Sequence, residues 1–375
     1  MKKSFVKISI CISLLFMAVS AAYSQTVPKK VAEGNEEWRY LQKAKDAFVA
    51  NDFGGAIQLA EKAKEIRRQD AEWKEYTLET SLKKARVVRA GDELDRVVPV
   101  LKSLQLRETL NTVNFFTERY GLEFFNNSYS KIFEFISTYS HYPEADYLLG
   151  KIYAVQGENT VALKFLQDAY EYSINLNVPM EKIDLLYDLA FLSQDLGNDN
   201  DYETYLLLVA ENNTFFRDSR YMDSLLRITN SEKKDSVEKF FILYRCEKDN
   251  SLKSFIELAE FYIERGESEK ALKCYALASV ISITKIESVL LDRVNEYEYT
   301  TFDDALRQCR KFPDVVKWGN ENKIWELFCR FADASVSAGK ISFGTNLYKV
   351  LSEAEPEDYW QLYAKNKLDV AKTSD

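Results

Sequence analysis

The sequence predicts an all-α protein built from repeated pairs of antiparallel helices. Only 12 of the 375 residues are glycine and 6 are proline, which disfavours an all-β fold with many tight turns. Apolar residues make up 46% of the chain, enough to form a packed core. Small and large apolar residues alternate at helical spacing in residues 146–170, and the same spacing recurs in residues 255–279. The expected repeating unit is therefore a helical pair.

The clearest unit occupies residues 146–170, where Gly157 separates two short helical patterns. Small residues at Gly150, Ala162 and Ala169 alternate with large ones, which predicts that two antiparallel helices approach closely and interlock. The second copy keeps this order of small and large residues at Leu258, Ala259, Tyr262, Gly266, Ala271, Tyr275 and Ala278.

Residues 1–24 are typical of a secretory signal peptide, with cleavage expected near Ser24. Lysines crowd residues 1–7, an apolar run follows from Ile8 to Ala22, and small residues stand at Ala22 and Ser24. An uncleaved membrane anchor is the alternative for this segment. No later stretch is expected to cross a membrane, and residues 25–35 form a polar lead into the folded chain.

Residues 36–142 are expected to form degenerate helical repeats. The first pair is predicted at Glu36–Ala50 and Phe53–Ile66, with Asn51 in place of a turn glycine because Asn tolerates positive φ. The spacing predicts further helices at Ala71–Arg89, Glu93–Leu104, Arg107–Tyr120 and Ser128–Ser140. Ten aromatic residues fall between Phe115 and Tyr142, and their helical spacing favours core packing over an exposed platform for sugars or a partner.

Residues 143–250 are expected to form the central repeats. The clearest pair spans Glu144–Ser173, and the next opens at Pro179 with a turn that looks lengthened at Gly197–Asp201. Asp199, Asn200 and Asp201 lack the ligand spacing and closing Glu of a calcium loop. A further pair is predicted at Phe215–Thr229 and Asp235–Cys246.

Residues 251–375 are expected to hold the C-terminal repeats. The second clear copy is followed by predicted helices at Lys285–Tyr297 and Phe302–Phe312, and a last copy is anchored at Phe331. Glu357–Val370 is expected to be a final, unpaired capping helix. The anchors Lys43, Leu149, Leu189, Leu258 and Phe331 lie 106, 40, 69 and 73 residues apart. A period of about 34 fits these intervals and predicts roughly nine helical pairs.

This unit resembles the tetratricopeptide repeat, TPR, in a divergent form. The match rests on Leu149, Gly150, Tyr153, Gly157, Ala162, Leu166 and Ala169, and on the corresponding residues of the second copy. The Trp usual early in the first helix is absent from both copies. The resemblance implies a right-handed α-solenoid whose concave groove, lined by the first helix of each pair, takes a peptide or a partner's helix. By analogy, the groove residues are Tyr147, Lys151, Tyr187, Phe191, Gln194, Glu260 and Glu264.

Signals of enzymatic chemistry are thin. The chain has one histidine, His141, and contains neither a G-x-S-x-G motif nor a phosphate-binding glycine loop. A glycosidase-like acid pair is disfavoured because 59 acidic residues produce adjacent carboxylates by chance. The sequence therefore predicts no catalytic, cofactor or metal site.

Four cysteines follow the signal segment, at Cys246, Cys274, Cys309 and Cys329. They show no C-x-x-C spacing, and the favoured interpretation is that each is a small buried apolar residue. A bridge between Cys309 and Cys329 is the alternative in an oxidising compartment.

The leading hypothesis is a non-enzymatic scaffold that binds protein partners in the periplasm or cell envelope. Removal of residues 1–24 takes away three lysines and no acid, so the net charge moves from -9 to -12. An acidic surface disfavours nonspecific binding of nucleic acid and of anionic membranes. The alternative is a glycan- or nutrient-binding helical receptor module. Such receptors resemble TPR proteins but normally carry a lipid-anchoring Cys after the signal, which is not found here.

Overall fold

The computed structural model describes residues 27–85, 93–243, 245 and 250–373. These residues form α-helices and two short 3-10 turns, and they contain no strand beyond one isolated bridge between Glu93 and Ser128. The all-α prediction is confirmed for this part of the chain. The predicted signal peptide and Cys246 lie outside it. The chain divides into two compact units, one ending at Pro179 and the other beginning at Met180.

The first unit contains seven helices in its described residues. They are α1 (Glu37–Val49), α2 (Phe53–Ala85), α3 (Leu94–Ser103), α4 (Arg107–Tyr120), α5 (Tyr129–Tyr139), α6 (Pro143–Val155) and α7 (Asn159–Glu171). The second unit continues with α8 (Glu181–Asp195), α9 (Asp199–Ala210), α10 (Thr214–Arg217), α11 (Ser219–Thr229), α12 (Ser236–Leu243), α13 (Leu252–Glu264), α14 (Ser268–Arg293), α15 (Phe302–Arg310), α16 (Pro313–Glu321), α17 (Ile324–Ser337), α18 (Ile341–Ala354) and α19 (Asp358–Thr373).

Among the described residues five tight hairpins recur, formed by α1–α2, α6–α7, α8–α9, α13–α14 and α17–α18. Each has a three-residue turn whose middle residue has positive φ: Asn51, Gly157, Gly197, Gly266 or Gly339. In each turn the next N–H donates to the carbonyl five residues back, as from Glu158 to Tyr153 at 2.9 Å. This is the Schellman arrangement, which satisfies the last carbonyls of the first helix. The prediction that Asn51 replaces a turn glycine is confirmed.

A seam of small residues joins the two helices of each hairpin. The position seven residues before the turn residue is Ala44, Gly150, Ala190, Ala259 or Ala332. At Gly150 an added Cβ would lie 2.5 Å from Cδ2 of Leu166, so the two helix backbones approach as closely as side chains allow. The predicted interlocking of small and large residues is therefore present in this hairpin.

The second helix of one hairpin packs against the first helix of the next within each unit. In the first unit α2 packs against α6, and in the second α9 packs against α13 and α14 against α17. The last helix, α19, packs on α17 and α18 in the place of a further first helix. Helices packed in series in this way agree with the predicted α-solenoid class.

A 34-residue period predicts hairpins at even intervals along the sequence. The observed hairpins are not evenly spaced. Shorter helices stand between hairpins that touch: α3–α5 in the first unit, and α10–α12 and α15–α16 in the second. The long anchor intervals therefore contain insertions rather than further hairpins of the same kind. In the first unit α3–α5 and the C-terminal half of α2 form a core that includes Phe116, Phe125, Phe135 and Tyr139. Core packing of this aromatic segment is confirmed.

Two predicted helix boundaries are wrong because the helices continue. The predicted break after Ile66 lies inside α2, and the predicted start at Lys285 lies inside α14. Neither residues 56–85 of α2 nor helix α14 contains Gly or Pro. Nothing there stops helix propagation, and Lys74–Asp70 and Arg68–Glu72 add ion pairs one turn apart along α2.

Three local predictions in the second unit need correction. Phe215–Thr229 is not one helix, since the Asp218 side chain accepts from the N–H of Arg220 and begins α11 there. The turn after Gly197 is not lengthened, because Asn198 caps α9 directly. Helix α16 was not predicted, although Pro313 at its first position is a start signal.

Helix α14 is long and apolar enough to cross a membrane by length and composition alone. Its most apolar window has a mean hydropathy of 1.5, and 67% of that window is buried inside the protein. Residues along the helix pack against α13 and α17 in the core of the second unit. A central core helix passes the same test.

Cys274, Cys309 and Cys329 are free and buried, so the alternative bridge between Cys309 and Cys329 is not formed. Burial raises the pKa of the Cys274 and Cys309 thiols to about 12. These thiols behave as small apolar core residues at neutral pH.

Candidate functional site

The seven predicted groove residues lie on the first helices of three hairpins. Tyr147 and Lys151 are on α6 in the first unit, where Tyr147 is buried and Lys151 is exposed. The Lys151 Nζ lies 4.8 Å from the centre of the Tyr147 ring. This cation–π pair occupies the ring face that a ligand would need.

Helix α8 carries Tyr187, Phe191 and Gln194 in the second unit. The Tyr187 hydroxyl accepts from the N–H of Ser254 at 3.0 Å and donates to the carbonyl of Asn250 at 3.1 Å. The Lys253 Nζ lies 4.3 Å from the centre of the Phe191 ring. Tyr187 and Phe191, predicted to contact a ligand, therefore contact the start of α13 instead. Gln194 is exposed.

The remaining two predicted residues, Glu260 and Glu264 on α13, line a cleft in the second unit. It has a volume of about 650 Å³ and lies among α13, α14, α17, α18 and α19. We call it the C-terminal cleft. Its lining residues are Glu260, Ile263, Glu264, Tyr275, Arg330, Asp333, Val336, Ser337, Ile341, Thr345, Tyr348, Tyr363, Lys367 and Val370.

Asp333 is the most heavily hydrogen-bonded side chain in the C-terminal cleft. Its carboxylate accepts from the Tyr348 hydroxyl and, at 2.7 Å, from the Tyr363 hydroxyl. The Lys367 Nζ lies 3.2 Å from Oδ1 of the same carboxylate. Burial and the bond to Asp333 raise the pKa of both tyrosines, so they remain neutral donors. One carboxylate thus ties α17 to α18 and α19.

Arg330, the second cation of the cleft, is held by acidic residues on its own helix. Its Nε and Nη2 lie 3.2 and 3.1 Å from Oε1 of Glu326, and its Nη1 lies 3.7 Å from Asp333. Both cations of the cleft, Arg330 and Lys367, are therefore already paired. Their charge is not available to neutralise the rest of the lining.

Glu260 differs from Asp333 because its carboxylate has no hydrogen bond or ion pair within the described residues. The side chain is half-buried, and burial raises the pKa of its carboxyl, with nearby carboxylates adding to the rise. Lys323 and Arg330 act in the opposite direction from beyond ion-pair distance. A half-desolvated carboxylate with free acceptor capacity is the chemically distinctive group of this cleft.

A second polar group with unused bonding capacity lines the same cleft as Glu260, the hydroxyl of Tyr275. The Tyr275 side chain is 3% exposed and lines the cleft, and its hydroxyl makes no hydrogen bond to any described residue. Burial raises the pKa of Tyr275, and the Glu260 charge adds to the rise. The Tyr275 oxygen is not among the fully buried atoms that lack a partner, so it is open to the cleft, where a ligand atom can bond to it.

The rim of the C-terminal cleft is apolar. Ile263, Val336, Ile341 and Val370 are all exposed, and the most open of them, Val370, is 64% exposed. These side chains surround the polar floor. Exposed apolar side chains beside polar groups are typical of a ligand-binding surface.

Sequence reasoning missed Arg330, Asp333, Tyr348, Tyr363 and Lys367. The repeat register could have found Asp333, because it follows its anchor Phe331 by two residues just as Glu260 follows Leu258. The tyrosines and Lys367 come from other helices, and no local pattern links them to Asp333.

A smaller cleft of about 470 Å³ in the first unit holds the single histidine. The His141 ring stacks on the Tyr172 ring with centroids 3.5 Å apart, and burial lowers the pKa of His141. Asp146 in the same cleft is buried and lies 2.7 Å from the Lys64 Nζ. Burial outweighs that pairing and raises the pKa of Asp146 to about 6. In both units, residues 27–373 as far as they are described contain no His, Cys, Asp and Glu group arranged to hold a metal ion.

Comparison with known proteins gives one relative and no family. No protein-family model matches the chain. A protein of Treponema pallidum (strain Nichols), described as an uncharacterized protein, is 28% identical to it over 341 residues. The aligned region covers 90% of this chain and 91% of that protein. The similarity therefore spans both of the compact units.

Proposed function

We propose that this protein is a non-enzymatic, TPR-like scaffold that binds a protein partner along the first helices of its hairpins. The observation that carries the proposal is the C-terminal cleft. It combines an exposed apolar rim with two polar groups, Glu260 and Tyr275, that have unused bonding capacity. Such a surface fits the recognition of a partner's peptide or helix.

The TPR-like part of the proposal rests on the hairpins. Five Schellman turns and five seams of small residues share one register, and second helices pack on the first helices of following hairpins within each unit. A right-handed superhelix within each unit is the arrangement that repeated packing of this kind favours.

We also propose that the protein acts outside the cytoplasm, in the periplasm or as a secreted protein. The support is the lysine-rich start, apolar run and small residues of segment 1–24. Protein sequencing of the N-terminus from the native source tests this directly. A mature chain that begins near Gln25 supports export with cleavage, and an intact Met1 contradicts it.

The test of function is affinity purification of the full chain from the envelope fraction of its native cells. The matched bait carries Glu260→Lys and Glu264→Lys, which reverse the charge of the cleft wall. We expect one or a few proteins to bind the native bait and to be lost from the variant. Recovery of no protein, together with binding of a soluble glycan, would overturn the scaffold and favour a glycan- or nutrient-binding receptor.

A further inference from the structure

The unpaired charge of the C-terminal cleft is negative. Of the acidic groups at this site, Asp333 is fully engaged by two tyrosines and Lys367, and Glu326 is engaged by Arg330. Glu260 and Glu264 have no such partner within the described residues. Both cations that line the cleft are paired there, and Lys323, which also acts on Glu260, lies outside the lining and beyond ion-pair distance. The wall formed by α13 therefore presents negative charge to an incoming ligand.

The pairing of Glu260 with Tyr275 suits a cationic hydrogen-bond donor. A carboxylate only accepts, and a tyrosine oxygen can accept while its proton points to the ligand or to water. A guanidinium or ammonium group carries several N–H donors, enough for a carboxylate and a tyrosine oxygen that line the same cleft, and it would also restore the charge balance of a half-buried carboxylate. An anionic ligand would be repelled by the same wall.

The apolar rim limits the ligand to one that carries hydrophobic groups as well as charge. Ile263 and Val336 flank the polar floor from α13 and α17, while Ile341 and Val370 extend the rim along α18 and α19. A small hydrophilic amine would not cover the apolar rim, which would stay exposed to water. A peptide with apolar side chains on either side of a basic one covers it.

We propose that the C-terminal cleft binds a segment of a partner protein in which an arginine or lysine, set between apolar side chains, is received by Glu260 and Tyr275. The inference rests on the proposed scaffold function and names the chemistry of the partner. Glu264 adds to the negative field at the cleft mouth, and the Asp333 network fixes the opposite wall.

Binding of synthetic peptides to the full mature chain tests the proposal. The probe is a fluorescein-labelled peptide of alternating arginine and leucine, and the comparison peptides replace arginine by glutamate or by serine. We expect only the arginine peptide to bind by fluorescence anisotropy, and its affinity to fall as salt rises to about 0.3 M. The serine peptide separates charge recognition from hydrophobic contact.

The decisive variants are conservative. Glu260→Gln should weaken binding of the arginine peptide about tenfold, and Tyr275→Phe about two- to tenfold. Glu298→Gln is the matched control, because Glu298 is exposed in the same unit and lies outside the cleft. This substitution removes one negative charge, as Glu260→Gln does. It should leave the affinity unchanged. Circular dichroism of each variant checks that the fold is kept.

Two results would overturn the inference. One is equal weakening by Glu260→Gln and Glu298→Gln, which would mean nonspecific attraction to an acidic protein. The other is the absence of binding by the arginine peptide. Either outcome leaves the scaffold proposal open to its own test, since a partner recovered from the envelope and lost on charge reversal would then be recognised by different chemistry.

Discussion

At single positions, the hairpins depend on residues that have no room for a side chain. Gly344 on α18 faces α17 so closely that an added Cβ would lie 2.9 Å from the carbonyl oxygen of Ala332 and 2.6 Å from Cγ2 of Val336. The carbonyl belongs to a helix and cannot rotate away. Gly54 on α2 has no such neighbour, since its nearest contact would be at 4.0 Å.

Gly344→Ala should therefore lower the free energy of unfolding by about 1–2 kcal/mol, because overpacking exceeds the gain in helix propensity. Gly54→Ala should raise it by about 0.5–1 kcal/mol through propensity alone. Urea unfolding followed by circular dichroism measures both. A stabilised Gly344→Ala variant would contradict the close approach of α17 and α18.

Glu355, between α18 and α19, is fully buried, and its two carboxylate oxygens lack a partner among the described residues. Burial raises the pKa of its carboxyl well above 4.5, so the folded state holds this group protonated. Well below pH 4.5 the group is protonated in both states, so its titration does not change the folding stability. As pH rises above 4.5 the unfolded state releases the proton more readily, so folding stability falls.

Glu355→Gln should remove this loss. Its stability advantage over the native chain should be small near pH 4 and grow to about 1–3 kcal/mol at alkaline pH. Glu353→Gln is the control, because Glu353 is exposed on α18 two residues before Glu355. The stability difference between this variant and the native chain should not change with pH. Urea midpoints across the pH range decide it, and a constant difference between Glu355→Gln and the native chain would argue against a buried, protonated Glu355.

At the scale of elements, the length of α2 lets one helix serve two cores. Its N-terminal half pairs with α1, and its C-terminal half packs with α3–α5. At the junction Arg67 is 3% exposed, donates to the carbonyl of Tyr139 at 2.9 Å and pairs with Glu37 at 2.9 Å. The guanidinium also stacks 3.4 Å from the Tyr139 ring centre.

Arg67→Met should cost about 2–4 kcal/mol, because it leaves the Glu37 carboxylate and the Tyr139 carbonyl without their buried partner. Combining it with Glu37→Gln should cost less than the sum of the single changes. Arg68→Met is the control, since Arg68 is exposed on the same helix and should change stability by no more than about 0.5 kcal/mol. Strict additivity of the Arg67 and Glu37 substitutions in denaturant unfolding would contradict the junction.

The sequence predicts an element well when the residues that signal it lie within or next to that element. Turn residues such as Gly157 and the limits of α4 are local, and both were predicted. The continuity of α2 past Ile66 and of α14 past Lys285 was also visible as an absence of Gly and Pro around these two positions, but a strict repeat period placed breaks there. Helix α16 was missed for the same reason, despite Pro313.

At the scale of the whole molecule, two compact units each contain hairpins stacked in series, with shorter helices inserted between them. The hairpin anchors were predictable because small residues recur at one distance from each turn. The insertions were not, because a period fitted to 106, 69 and 73 residues cannot tell a degenerate repeat from an unrelated segment. Glu260 and Glu264, which form the α13 wall of the cleft, were among the predicted groove residues. The Asp333 network was not predicted, because it joins residues on separate helices.

The central claim is that a partner binds at the C-terminal cleft, whose wall includes the first helix α13, and site-specific photo-crosslinking in the native cell tests it most directly. A benzophenone amino acid replaces Glu264 at the mouth of the C-terminal cleft or Lys349, exposed on the second helix α18 and outside the cleft. The prediction is a discrete protein adduct from position 264, lost on adding Glu260→Lys, and none from position 349. Adducts from position 349 alone, or equal adducts from both positions, would contradict the claim.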